Sequence, residues 1–366
     1  MAKLAIFNSS LHRGGSEREA VNIAGCFLAA GHEVVFVTQH PEEEGEYPLP
    51  PGARRVVSER EEPFGSSMGQ RIAGFSDRFF RLRRIWKQER PDVILSFIGK
   101  NNVMAVITSL GLGIPAAVHV QGEARYEYPE GPERRAAFLA FRFAAGIALQ
   151  TGRSKNFFPE ALRKKCEVLP NILSKEFAEY EGMPRLPLIL TAGRMDANKN
   201  HAMLIRAFGR ISERFPGHTL TILGDGPERE NLLSLAKELG VGDRVSLPGS
   251  VSDVISYMRK AQVFVLTSDS EGLPNVLLEA MSQALPVIST DTASGGPAEI
   301  TSDGRYGKLI PVGGEDALVD ALLEMLSDPE ECRRAGEQAR EAVGRFMPDR
   351  AEEAWREYLL QFVRAK

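Results

Sequence analysis

Short apolar runs rich in β-branched residues alternate with amphipathic stretches along the whole chain. Residues 4–7 (LAIF), 33–38 (EVVFVT), 92–97 (DVILSF), 116–120 (AAVHV) and 146–150 (GIALQ) read as strands, with helical patterns such as Ser16–Ala30 and Asn101–Leu110 between them. A second series runs through 187–193 (PLILTAG), 220–224 (LTILG), 244–249 (RVSLPG), 263–268 (VFVLTS), 285–290 (LPVIST) and 306–312 (YGKLIPV). Continuous apolar strands separated by helices predict parallel sheets covered on both faces, an α/β architecture. Residues 170–186 lack a period and contain two prolines and a glycine, which predicts a linker. Two doubly wound domains follow, over 1–183 and 184–347. They share texture but not motif, so they are not a sequence repeat. A last segment, 348–366, carries Trp355, Tyr358, Leu359 and Phe362 near one helical face. It either packs on its own domain or crosses back to the first.

Length supports two cores, because 366 residues exceed what one hydrophobic interior usually serves. With 43% hydrophobic and 26% charged residues the composition is that of a globular protein. No apolar run approaches the roughly 20 residues of a membrane span. The opening MAKLAIFNSS has one lysine and a four-residue apolar run, too short for a signal peptide, so a cytoplasmic location is expected. Cys26, Cys166 and Cys332 have neither metal-ligand nor redox spacing and are expected to be reduced and mostly buried.

Ligands of doubly wound sheets lie beyond the carboxyl ends of the strands, and two facing sheets would place a site in the cleft between them. The candidate chemistry sits after strands. SEGLPNVLLE (270–279) sets Glu271 in a loop and Glu279 inside a helix that Pro274 is suited to begin. Between them the amides of Leu273, Asn275 and Val276, beside Gly272, form a helix start that favours an anion. Carboxylates on either side of a diphosphate would accept hydroxyls, which fits sugar–phosphate–phosphate–sugar order, a nucleotide sugar. A solvated loop acid and a surface helix acid are the plainer alternative. In 189–201 (ILTAGRMDANKNH) a strand leads into Gly193-Arg194, and Lys199 follows just ahead of a helix. A planar fork of donors and a mobile point charge together could neutralise a diphosphate leaving group. The chain has no Asp-x-Asp, the simplest pair for a magnesium–diphosphate, so a metal-free site is expected.

In the first half, 7–19 (FNSSLHRGGSERE) follows a strand, and Ser16 and Glu19 have capping-box spacing that predicts a helix from Ser16. Gly14 and Gly15 would let backbone approach a ligand, or simply turn the chain; they do not fit G-x-G-x-x-G. Gly111 and Gly113 precede a strand and read as a helix stop. GDGPERE (224–230) either lines the site or only turns the chain.

With these residues assembled, the chain resembles the retaining glycosyltransferases of GT-B fold in the group-1 family known as family 4. The resemblance rests on 14–18 (GGSER), Gly193-Arg194 with Lys199, Gly224-Asp225-Gly226-Pro227, Glu271-x7-Glu279, 295–300 (GGPAEI) and 169–172 (LPNI), in that family-like set. It implies that Arg194 and Lys199 hold the donor diphosphate, Glu271 the transferred sugar and Glu279 the ribose. Gly15 would meet the distal phosphate, and the backbone of Pro248, Gly249 and Val251 the base. His119 falls about where such enzymes have a histidine beside the donor sugar. Because the following QGEARYEY departs from the family pattern, a structural histidine is the alternative and Glu123 another polar neighbour. Neither a protein nucleophile nor a cofactor beyond the donor, expected to be UDP-linked, is implied.

Net charge is −4, with +2 over residues 1–183 and −6 over the rest. Residues 71–90 hold seven basic residues against two acids, interleaved with Phe79, Phe80, Ile85 and Trp86. Either this is a helix packed by its apolar side, or it rests on an anionic membrane and brings in a glycan or lipid-linked acceptor. Nucleic acid is not expected, since the balance is acidic and no such motif occurs. The functional expectation is transfer of a hexose or N-acetylhexosamine to a surface polysaccharide or glycolipid. The alternatives are a nucleotide-sugar epimerase of similar fold and a degenerate, non-enzymatic sugar-nucleotide binder.

Overall fold

The computed structural model describes residues 1–12, 14–59 and 67–363. By internal contacts the chain divides into two compact units, Met1–Ile172 with Asp349–Lys366, and Leu173–Pro348.

In the first unit seven strands form one parallel sheet: β1 (Lys3–Asn8), β2 (Glu33–Thr38), β3 (Arg54–Val57), β4 (Val93–Phe97), β5 (Ala116–Val120), β6 (Gly146–Leu149) and β7 (Cys166–Val168), in the order β3-β2-β1-β4-β5-β6-β7. β3 and β7 escape the sequence reading because edge strands of four and three residues carry little apolar signal. β1, an interior strand, is buried over nearly its whole length. One face is covered by the helices Met68–Glu89, Gly99–Ser109 and Pro132–Phe141, whose Trp86, Met104 and Phe141 enter the core with Phe7 and Val118. The other face is covered by the helices Gly15–Ala29 and Pro348–Leu360. In the latter, Trp355, Tyr358 and Leu359 are buried against this sheet, and Trp355 Nε1 donates to Pro170 O at 2.9 Å. The terminal helix therefore packs on the first unit's core. The helix stop expected at Gly111 and Gly113 is present, both in the left-handed region at φ +72° and +73°.

In the second unit six parallel strands follow the order β10-β9-β8-β11-β12-β13: β8 (Leu188–Ala192), β9 (Thr219–Leu223), β10 (Val245–Gly249), β11 (Val263–Leu266), β12 (Val287–Thr290) and β13 (Lys308–Ile310). All six apolar runs of the second series become strands. The division falls at Ile172/Leu173 and not at 183/184, because Leu173 and Phe177 are buried with Leu188, Phe264 and Leu277 in this unit's core. Apolar anchors at those two positions outweigh the irregular composition of the segment. Cys26, Cys166 and Cys332 are buried, reduced thiols.

Candidate functional site

Strand order in the second sheet reverses between β8 and β11, so the loops leaving their carboxyl ends diverge and open a place for a ligand. Lys199 comes from the loop after β8 and Glu271 from the loop after β11, and Lys199 Nζ lies 2.5 Å from Glu271 Oε1. Ser268 Oγ donates to the same carboxylate oxygen at 2.6 Å. Backbone sets this meeting. Asp196 Oδ1 accepts from Lys199 N at 3.1 Å and caps the 3₁₀ turn Ala197–Lys199. Thr267 Oγ1 donates to Lys199 O at 2.9 Å, Asp269 N to Asn198 O at 2.8 Å, and Asn198 Nδ2 to Ser270 O at 3.0 Å. The two loops are thus stitched together beside the ion pair, which holds its geometry without depending on long side chains alone.

Glycines let the loops close up. The Lys199 chain lies over Gly193, where a Cβ would sit 3.4 Å from Lys199 Cε. Gly224 has φ +122°, and a Cβ there would run into Gly193 O, so no other residue fits without displacing the β8 loop. Gly193 N donates to Leu223 O and Gly224 N to Gly249 O, each at 2.9 Å, which ties the ends of β8, β9 and β10 into one rim. Pro248 is exposed on that rim and Val251 is half-buried beyond it. On the far side of Glu271, Ser294 Oγ donates to Glu271 O, and a Cβ on Gly296 would overlap Gly272 O. Leu273 is buried, Pro274 caps the helix Asn275–Ser282, and Val276 packs on the core beneath. Pro274 stands one residue before the helix and not in its first position.

Residues 14–149 match the family model described as "Glycosyl transferase 4-like domain", and residues 175–342 match "Glycosyl transferases group 1". The chain belongs to the group-1 glycosyltransferases. It is similar over 97% of both chains, at 27% identity, to the GalNAc-alpha-(1->4)-GalNAc-alpha-(1->3)-diNAcBac-PP-undecaprenol alpha-1,4-N-acetyl-D-galactosaminyltransferase of Campylobacter jejuni. It is 34% identical to the lipopolysaccharide core biosynthesis glycosyltransferase LpsE of Rhizobium meliloti across 51% of this chain and 54% of that one. Among solved structures, Anabaena Alr3699/HepE in complex with UDP superposes with a TM-score of 0.82 at 19% identity, over 99% of this chain and 100% of the other. The sucrose-phosphate synthase of Thermosynechococcus elongatus does so with 0.79 at 18% identity, over 99% of each. The glycosyltransferase therefore has the GT-B fold, two Rossmann-like domains.

Not every expected residue of this glycosyltransferase joins the Lys199–Glu271 pair. The Arg194 side chain is 74% exposed and its Nε lies 3.9 Å from Asp196, so it stands outside the pair. Glu279 is only 6% exposed, which excludes the surface-acid alternative but also encloses it within the helix. His119 is 0% exposed. Its ring lies between Phe97 and Trp355, with centroids 5.2 and 5.0 Å away, and Nδ1 is 3.2 Å from Gln121 Nε2. Burial pushes its pKa down to about 3, so it is neutral. A side chain so enclosed cannot touch a donor sugar, and the catalytic role implied by the resemblance is withdrawn for His119. Glu123, the alternative, is ion-paired with Arg125.

Gly14 and Gly15 open the first helix of the first unit, with Gly14 as an extended N-cap at φ −142° that does not require glycine. The expected capping box is absent. Ser16 Oγ instead donates to Glu17 Oε2 at 2.6 Å, and that carboxylate folds back over Gly14, where a Cβ would overlap it. Glu19 is 1% exposed, and burial raises its pKa to about 8 even though both its oxygens accept from Ile172 N at 3.2 Å, a bond that pulls it down. The backbone amide of the chain's exit segment competes successfully for this acid. Sequence reading also passed over Ser268, Ser294 and His201; isolated serines carry no spacing signal. His201, 2% exposed at the start of the helix His201–Ile211, is held down to about 4 by burial and by Lys199.

Proposed function

We propose that this glycosyltransferase transfers a hexose or N-acetylhexosamine, with retention, from a UDP-sugar to a glycan or lipid-linked saccharide in surface polysaccharide or glycolipid synthesis. The observation that carries the reading is the Lys199–Glu271 pair at the point where the second sheet reverses. There an ammonium can meet leaving-group charge while the carboxylate beside it accepts sugar hydroxyls. Arg194, exposed on the same loop, would swing onto the diphosphate. No metal is invoked: leaving-group charge falls to Lys199 and Arg194, and the departing diphosphate takes the acceptor proton on the same face. The donor is read as UDP-linked because similar folds were solved with UDP, and the acceptor as lipid-linked from the names of the Campylobacter and Rhizobium relatives.

The acceptor reading places the enzyme at the inner face of a membrane, held peripherally by the helix Met68–Glu89. Among the described residues no helix is long and apolar enough to cross a membrane. On this helix Ile85 and Trp86 belong to the core, whereas Ile72, Phe75 and Phe80 are 61%, 54% and 66% exposed, with Arg84 and Lys87 also exposed. Apolar anchors among cations suit an anionic lipid surface. Incubating the full chain with UDP-sugars and undecaprenyl-diphosphate saccharides, and reading the anomeric configuration of the product by NMR, tests the proposal. A product of retained configuration supports it; inverted configuration, or conversion of donor without acceptor as by an epimerase, contradicts it.

A further inference from the structure

Two groups hold the same oxygen of Glu271. Lys199 Nζ lies 2.5 Å from Oε1 and Ser268 Oγ donates to it at 2.6 Å, whereas Oε2 makes no hydrogen bond among the described residues. The two holds differ in kind. The ammonium reaches Oε1 from the loop after β8 on a flexible four-carbon stem. Ser268 is fully buried just beyond the end of β11, and its hydroxyl sits one bond from Cβ. Its backbone is fixed from the neighbouring strand, where Thr290 Oγ1 at the end of β12 donates to Ser268 O at 2.6 Å. Ser294 Oγ, from the loop that follows β12, donates to Glu271 O. Bonds from β12 and its loop therefore hold Ser268 and the Glu271 backbone without any contribution from Lys199.

The difference matters when a ligand arrives. A nucleoside diphosphate brings more negative charge than one carboxylate, so an ammonium within reach of both turns to the phosphates. A carboxylate left with no donor at that moment would rotate toward water or follow the ammonium, and its second oxygen would no longer be aimed. We propose that Ser268 is a positioning residue of the donor site: it keeps Glu271 Oε1 in place once Lys199 has moved to the diphosphate, so that Oε2 is presented to the hydroxyls of the transferred sugar. The sugar end of this assignment rests on the function proposed above; the two holds on Oε1 do not.

The test begins with calorimetry of UDP on the full chain and with the crystal structure of its UDP complex. There Lys199 Nζ should have left Oε1 for a phosphate oxygen, while Ser268 Oγ stays within hydrogen-bond distance of Oε1. Ser268→Ala should bind UDP within about twofold of wild type, because the ammonium that meets the phosphates is untouched. Transfer to undecaprenyl-diphosphate saccharides from UDP-glucose, UDP-galactose, UDP-N-acetylglucosamine or UDP-N-acetylgalactosamine is then compared at saturating donor. In Ser268→Ala kcat should fall about tenfold, the value of one hydrogen bond to a charged group, with the donor KM little changed. In a Glu271→Ala background the same substitution should alter the residual kcat less than twofold, since Ser268 acts through that carboxylate. Melting temperatures control for folding. Four results overturn the proposal: a UDP complex in which Lys199 stays on Glu271 or Ser268 has released it, wild-type kcat in Ser268→Ala, a loss of UDP affinity as large as the loss of kcat, or a full tenfold loss in the Glu271→Ala background. A wild type that binds UDP but transfers none of these sugars counts against the substrate reading, and the UDP complex still decides the proposal. No UDP binding by the wild type overturns the donor reading and this proposal together.

Discussion

Lys199 and Glu271 stand 72 positions apart in sequence, yet Nζ and Oε1 meet at 2.5 Å because loops from adjacent strands β8 and β11 are joined by the backbone bond from Asp269 N to Asn198 O and by side-chain bonds from Thr267 to Lys199 O and from Asn198 to Ser270 O. Only 20% and 12% of these side chains is exposed, so each is the other's main counter-charge until a ligand arrives. Lys199→Ala and Glu271→Gln are each expected to lower transfer by about 100-fold or more. The double variant should lose much less than the product of the two, because the residues act as a coupled unit. Initial rates of sugar transfer for the four proteins, with melting temperatures as the control for folding, check this.

The rim of the site makes a sharper structural prediction. Gly224 and Gly249 both have positive φ, +122° and +87°, but a Cβ at Gly224 would strike Gly193 O whereas one at Gly249 would meet nothing within 4 Å. Gly249→Ala should therefore cost about 1 kcal/mol from backbone strain alone. Gly224→Ala should cost several times that, roughly 3 kcal/mol or more, and displace the Lys199 loop with it. Urea unfolding of the two variants gives the comparison.

Buried acids dictate a pH dependence. Glu19 is held near 8 against an ordinary 4.5, so the folded chain keeps a proton that the unfolded chain releases. Stability from this group is full below about 4.5 and erodes as pH climbs to about 8. Glu19→Gln removes that slope but not the similar one from Glu127. The melting temperature of the variant relative to wild type should rise steadily between those pH values, and a difference that stays flat would contradict the burial of this acid.

His119 works in the opposite sense. Its folded value near 3 lies below the ordinary 6.5, so its contribution is complete above 6.5 and is lost as pH falls toward 3. His119→Leu should flatten part of the acid limb of the stability curve; His201, also lowered, keeps the remainder. Because the ring is enclosed by Phe97 and Trp355, the variant should retain transfer within about threefold once folding is accounted for. Transfer rates at neutral pH and acid-induced unfolding monitored by fluorescence test the two halves.

Much of this was legible in the sequence because apolar runs such as EVVFVT and VFVLTS are fully buried strands whose side chains have no alternative environment. Lys199 and Glu271 were legible because each follows such a strand directly. What failed had competing partners far along the chain. Ser16 and Glu19 have the spacing of a cap, yet Glu19 is drawn to Ile172 N, a contact no local pattern encodes. His119 looks like a site residue from its place at a strand end, but an aromatic sleeve closes over it, half of it supplied by Trp355 from the far end of the chain. Leu173 and Phe177 lie in a stretch without period and are claimed by a core that their own segment does not announce.

Calorimetric titration of UDP into the full chain and into its Lys199→Ala variant addresses the central claim most directly. Saturable one-to-one binding by the wild type, weakened about tenfold or more in the variant by the loss of a charge-assisted contact, is the expected result. No binding by the wild type, or equal affinity in both proteins, would contradict the assignment of the donor diphosphate to Lys199.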